Sequence, residues 1–95
     1  MKYYNKGIKA HLIAMQELLD DDHLIFQNVQ GIGPIDIVRV NIHTGAVEFF
    51  DAKSDRDRGH RQRPFTELQK KLGVQQFYVN FHKRTWRLGS KLGKF

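Results

Sequence analysis

Asp51 and Lys53 stand two residues apart in the stretch VEFFDAKS, residues 47–54. Residues two apart in an extended chain project from the same face. A carboxylate and an ammonium are thus paired among Val47, Phe49, Phe50 and Ala52, which read as core strand. A second carboxylate, Asp36, lies near the start of the preceding extended stretch, IDIVRVNI (35–42), and HTGA (43–46) turns the chain between the two. An antiparallel hairpin about that turn brings Asp36, Asp51 and Lys53 to one end of one sheet face. Two carboxylates repel unless a proton or a cation joins them. Oxygen ligands at this spacing suit Mg²⁺ or Mn²⁺. An adjacent ammonium steadies a phosphate or the charge developing on an attacking water. The set fits phosphodiester hydrolysis; the competing reading is a salt-bridge cluster at a sheet edge.

The elements that must position these groups follow from periodicity. Residues 7–22 predict a helix with an apolar stripe of Ile8, Leu12, Met15, Leu18 and Leu19. Asp20, Asp21 and Asp22 sit badly at a helix C-terminus and read better as a solvated turn. HLIFQNVQ (23–30) predicts a first strand, and GIGP (31–34) a turn in which Pro34 bars a regular ladder. In the next strand Ile35, Ile37 and Arg39 face one way, and Asp36, Val38, Val40 and Ile42 the other. Residues 54–63 predict a polar loop. PFTELQKKLG (64–73) predicts a second helix with Gly73 as its stop, and VQQFYVNF (74–81) a strand. TWRL (85–88) predicts a short strand, followed by a basic tail from about residue 89. The order predicts a single α/β domain over 1–95, a small mixed sheet with helices against it, in which the second helix crosses over between strands.

Composition narrows the partner. The 95 residues carry a net charge of +6, with 40% hydrophobic residues, as expected of a globular chain. All ten acids lie at or before Glu67, whereas residues 68–95 hold seven Lys or Arg and no acid. One strongly basic end predicts a polyanionic partner, most often nucleic acid. There is no cysteine, which excludes disulfides and zinc–thiolate sites and fits a reducing compartment. No apolar run is long enough for a membrane span, and a signal-peptide core is lacking at the N-terminus. The expectation is a cytoplasmic protein.

Pro34-Ile35-Asp36, a strand, a turn and Asp51-Ala52-Lys53 together resemble the signature of the PD-(D/E)XK nuclease superfamily. The resemblance covers roughly residues 6–80, and the KGIKAH opening followed by a helix is similar to the small Holliday junction resolvases and related standalone nucleases of phage and prokaryotes. It implies a restriction-endonuclease-like αβββαβ core and a Mg²⁺- or Mn²⁺-dependent DNA endonuclease, acting on branched DNA if the likeness extends to the resolvases. Carried over residue by residue, Asp36 and Asp51 would bind the metal together with the Ala52 carbonyl. Lys53 would orient or activate the water, or hold the scissile phosphate, and products would carry a 5′-phosphate.

One position departs from the pattern. Relatives with the KG opening carry a glutamate about four residues after the glycine, where this chain has His11. His11 lies on the predicted apolar stripe and should face inward. A neutral imidazole there could ligate a metal or hold a water, but brings no negative charge; the alternative is a packed histidine bonded to backbone. Glu17 is about 240° round the helix from His11 and reads as solvated surface. Some members of the superfamily place a glutamine on the second helix near the metal-bound water; Gln62 and Gln69 are both candidates, against the reading of each as solvated surface. Arg56, Arg58, Arg61 and Arg63 would grip phosphates flanking the cut. Lys83 and Arg84, interleaved with aromatics including Phe81 and Trp86, could hold nucleic acid by charge and stacking. Cutting two strands with so small a chain predicts a twofold homodimer. Two other readings stand beside the nuclease: a non-catalytic DNA-binding module on a decayed nuclease fold, which His11 favours, and a basic accessory protein in which the DAK tripeptide is coincidence.

Overall fold

The computed structural model describes residues 3–31, 33–55 and 64–95, and for Tyr3 and Tyr4 the backbone alone. In order these residues form α1 (Tyr3–Leu18), β1 (His23–Gln27), β2 (Ile37–Asn41), β3 (Val47–Ser54), α2 (Glu67–Leu72), β4 (Val74–Asn80), β5 (Thr85–Leu88) and β6 (Lys91–Lys94). The fold is α/β. The six strands make one mixed sheet in sequence order, antiparallel throughout except for the parallel pair β3–β4, which the connection containing α2 joins. Among the described residues no helix is long and apolar enough to cross a membrane.

The first helix starts and ends earlier than its periodicity predicts. It stops at Leu18, and the acids that follow form the turn into β1: Asp20 Oδ1 accepts the Asp22 backbone N–H at 2.9 Å and pairs with His23 Nδ1 at 2.7 Å. The buried row keeps only part of the predicted stripe: Leu18 is buried and Met15 packs on the core. Ala10, Ala14 and Leu18, four residues apart, lie against the sheet, while Ile8, Leu12 and Leu19 are about 60% exposed. Two alanines let the helix axis come close to the strands, which leaves Ile8 and Leu12 outside the contact. Arg39 anchors the helix end: its guanidinium donates to the Leu18 carbonyl, pairs with Glu48 at 2.8 Å, and lies over the Phe50 ring. It thereby satisfies a carbonyl that the last helical turn leaves without a partner.

Alternation divides the sheet into two unlike faces. Ile37, Phe50, Phe77 and Val79 point to the α1 side and form the core with Ala10, Ala14 and Leu18. On the other face, cross-strand register aligns Leu24, Val40 and Val47 in one row and Phe26, Val38 and Phe49 in a second. Leu24, Phe26 and Val47 in these rows are half exposed. Further along the same face the residues become polar: Asp51, Lys53, Gln76, Tyr78 and Arg87.

The second helix is shorter than predicted because Thr66, not Pro64, opens it. Thr66 and Gln69 form a reciprocal capping box, and Gly73 closes the helix at φ +67°, donating to the carbonyls of Gln69 and Lys70. The expected tail from residue 89 is instead a hairpin. Gly89 turns the chain, and β6 pairs with β5. Gly93 faces Trp86 across that pair, so close that a Cβ would overlap the indole ring. Trp86 in turn stacks on Phe77, with ring centroids 5.1 Å apart. A Lys-Gly-rich terminus whose two apolar residues, Leu92 and Phe95, stand three apart gives no alternation to read; pairing with β5, with the indole seated over Gly93, makes it a strand.

Candidate functional site

Asp36 ends the β2–β3 ladder. Its backbone N–H donates to the Phe50 carbonyl at 2.8 Å, as a strand residue would. The next ladder position is taken by a side chain: the Ala52 N–H donates to Asp36 Oδ2 at 2.8 Å. Beyond this point β2 turns away into the Gly33-Pro34 bend while β3 runs on. Pro34 supplies no N–H for a further rung. The Ala52 carbonyl projects toward the same side as its N–H, so it faces the fork between the two strands.

Asp51 lies beside this fork on the α2 face, its side chain 5% exposed. Gln69 of α2 donates to Asp51 Oδ2 at 2.9 Å, and Lys53 Nζ stands 3.3 Å from the same oxygen. The Asp36 carboxyl is within hydrogen-bonding reach of Asp51. Burial pushes the Asp51 carboxyl above the usual carboxylate range, and Asp36 raises it further. The Gln69 hydrogen bond and the Lys53 charge pull the other way without cancelling the rise. Two acids side by side, one deeply buried, are stable when a proton or a cation lies between them.

Asp51, Lys53, Gln69 and Gln76 line a cleft of about 380 Å³ with Gly33, Pro34 and the start of α2. Asp36 and Ala52 also line a second cleft of about 320 Å³ on the α1 side, together with His11, Gln27 and Gly7. The sheet fork lies between the two clefts. His11 therefore does approach the Asp36 side of the site. Its Nε2 donates to Gln27 Oε1 at 3.3 Å, so in the neutral ring Nδ1 is the nitrogen with a lone pair.

Among the described residues no three acids, histidines or cysteines converge as a metal-ligand group. The oxygens at the fork are two carboxylates and one backbone carbonyl. That donor set fits Mg²⁺, which keeps several waters and needs only one or two protein carboxylates.

Of the residues predicted from sequence, the structure brings together Asp36, Asp51, Ala52 and Lys53, with His11 across the fork. Lys83 and Arg84 are exposed in the β4–β5 turn. Because β4 runs parallel to β3, this turn is at the same end of the sheet as Asp51 and Lys53. Arg84 there has φ +54° and lies over the Phe95 ring at 5.0 Å. Arg56, Arg58, Arg61, Gln62 and Arg63 lie outside the described residues. Gln69, one of two glutamines the sequence left open, contacts the site directly. Gln76 was missed. Its only signal was a polar pair, Gln75-Gln76, in an otherwise apolar strand. Compared with family models, curated proteins and solved structures, the chain matches none of them.

Proposed function

We propose that the chain is a metal-dependent DNA endonuclease of the PD-(D/E)XK type, its first six elements forming the αβββαβ core of that fold. The observation that carries this reading is the pairing of Asp36 with a buried Asp51 at the strand fork, with the Lys53 ammonium 3.3 Å from Asp51. Carboxylates crowded this way cost stability in a protein that only binds DNA, and they would also repel its phosphates. They are useful where a cation is held.

Asp36, Asp51 and the Ala52 carbonyl would hold Mg²⁺ or Mn²⁺, which when bound supplies Lewis acidity and a water ionised near neutral pH. Gln69 orients Asp51 by fixing Oδ2. Lys53 holds the water or a phosphate oxygen, stabilising negative charge as it develops. Lys83 and Arg84, at the same end of the sheet, and the Arg56–Arg63 segment bind flanking phosphates. The reading includes a twofold dimer that addresses two strands of branched DNA. In that dimer the half-exposed Leu24, Phe26 and Val47 of the two apolar rows on β1–β3 would lie at the centre of the interface.

The test is cleavage of four-way junction, flap, duplex and single-stranded DNA in Mn²⁺. Cutting is expected in the wild type and not in Lys53→Ala. Equal binding of junction and duplex, or a monomer by sedimentation at working concentration, would exclude the resolvase form and leave a general nuclease. A second reading, a DNA-binding module without catalysis, is favoured by one observation: His11, which lines the α1-side cleft with Asp36 and Ala52, brings no carboxylate. Calorimetric titration separates the two, because only the nuclease requires Mg²⁺ or Mn²⁺ to bind.

A further inference from the structure

We infer that Gln76 is an oxyanion-binding residue of the α2-side cleft and that Tyr78 is the residue that positions it. The two glutamines of this cleft are used differently. Gln69 has no N–H left to offer an anion. Its Nε2 donates to Asp51 Oδ2 at 2.9 Å and to the Pro34 carbonyl at 3.1 Å, and its Oε1 accepts the Thr66 N–H at 3.2 Å. All its hydrogen-bonding capacity along these directions goes into bracing α2 against the fork.

Gln76 is spent at one end only. It is 6% exposed, beside Asp51 in the parallel β3–β4 register, and it forms part of the cleft wall. Its Oε1 accepts the Tyr78 hydroxyl at 2.9 Å. Among the described residues no protein acceptor takes the two N–H groups of the same amide. A glutamine that serves only the fold spends both ends on protein, as Gln69 does; Gln76 spends only its oxygen. Here the open end is the donor end, and Gln76 lines the cleft that also holds Lys53, as well as a smaller one of about 180 Å³ beside Tyr78 and Arg87. A neutral donor and a cation on one wall suit an oxygen carrying negative charge.

The hydroxyl that sets the amide is itself immobilised. Tyr78 is 2% exposed, and the Arg87 guanidinium lies 4.0 Å from its ring centroid. Arg87 is held in turn by Asp55, Nε to Oδ2 at 3.2 Å. The chain Asp55–Arg87–Tyr78–Gln76 thus runs from the residue after β3 through β5 to β4 and fixes which end of the amide is left open. Phenylalanine at 78 would fill the same volume but leave the amide free to rotate.

The identity of the oxyanion rests on the nuclease reading, under which it is a non-bridging oxygen of the phosphodiester. The oxyanion site itself does not require cleavage, so the test has two arms. In the first, thymidine 3′,5′-bisphosphate is titrated into ¹⁵N-labelled protein already saturated with Mg²⁺, so that metal binding at Asp51 does not contribute to the shifts, and side-chain amide signals are followed. The Gln76 pair is identified by its loss in Gln76→Leu. It should shift on titration while the Gln69 pair stays within line width, and Tyr78→Phe should weaken the binding about fivefold. A Gln76 pair that does not move at saturation, or no binding, overturns the inference. In the second arm, cleavage by Gln76→Leu and Tyr78→Phe is compared with wild type after circular dichroism has established that each is folded. A fall in kcat of ~10² for Gln76→Leu, with KM within twofold, is expected on removing a donor to developing charge. Cleavage by Gln76→Leu at the wild-type rate overturns the inference and leaves the nuclease reading intact. Absence of cleavage in wild type ends the nuclease reading, and the amide signals then decide the oxyanion site alone.

Discussion

The same three strands, β3 to β5, present one face to α1 and the other to α2, and the two faces are built on opposite rules. On the α1 side Phe50, Phe77, Val79 and Trp86 alternate inward and pack with Ala10 and Ala14. On the α2 side the intervening residues are Asp51, Lys53, Gln76, Tyr78 and Arg87, joined by hydrogen bonds and ion pairs. Burial on the first face stabilises. On the second, burial raises the cost of every group lacking a partner, and at Asp51 the shifted carboxyl shows that the cost is not fully offset. A protein of this size has few residues with which to stabilise itself. Placing that cost on one face and the core on the other separates the groups that hold the fold from those available for chemistry.

Truncation should break this comparison most visibly. Phe50→Ala empties a fully buried site and should cost ~3–5 kcal/mol, which thermal unfolding would read as a drop of many degrees or loss of the folded state. Asp51→Ala and Lys53→Ala, one residue to either side of Ala52 on the opposite face, should leave a folded protein that binds DNA but cleaves at least ~10² more slowly. Comparable destabilisation from Lys53→Ala would show that the polar face is part of the stabilising core after all.

Gly93→Ala tests the apolar face at its far edge. An added methyl must displace Trp86, which stacks on Phe77, so a loss of ~1–3 kcal/mol is expected by urea denaturation. Wild-type stability would mean that β6 moves without cost.

The Asp51 carboxyl sharpens the comparison through pH. Its folded pKa is raised, so the folded chain binds that proton more tightly than the unfolded chain does. The associated stability is present in full below the unfolded pKa and is lost as pH rises through the folded one. Without divalent metal, Asp51→Asn should therefore raise Tm by a few degrees at neutral pH, and the gain should vanish below pH ~4. Added Mg²⁺ should stabilise the wild type and not the variant. A variant less stable than wild type at neutral pH would mean that the Lys53 ion pair outweighs the burial of Asp51.

His11→Glu adds an anionic oxygen on the cleft that Asp36 and Ala52 line from the α1 side. Mn²⁺ titration calorimetry should show roughly tenfold tighter binding in a folded variant. Unchanged affinity would place residue 11 outside the metal's reach. The smallest effect concerns the basic turn. Replacing Lys83 and Arg84 together by alanine removes two phosphate contacts, so the slope of log K against log salt should flatten by ~1.8 for duplex DNA. An unaltered slope would exclude this turn from the interface.

Sequence by itself determined what depends on near neighbours. Strand alternation set Asp51 and Lys53 on one face and Phe50 on the other, and the hairpin turn at 43–46 brought Asp36 to them. Gly73 ended α2 because a left-handed residue costs glycine little, and the acids after Leu18 made a turn because their side chains bond the backbone there. Tertiary structure decided what depends on distant partners. The apolar periodicity of α1 allowed several buried faces, and the gap between helix and sheet selected the one that carries Ala10 and Ala14. The last residues became a strand by pairing with β5, where Gly93 leaves room for the Trp86 ring. Gln69 and Gln76 look alike in the sequence, and neither spacing nor composition tells a brace from a free donor. Their roles follow from the parallel register of β3 and β4, which places residue 76 beside residue 51 across an intervening crossover. No local rule encodes that register. It arises when side chains far apart in sequence close the same core.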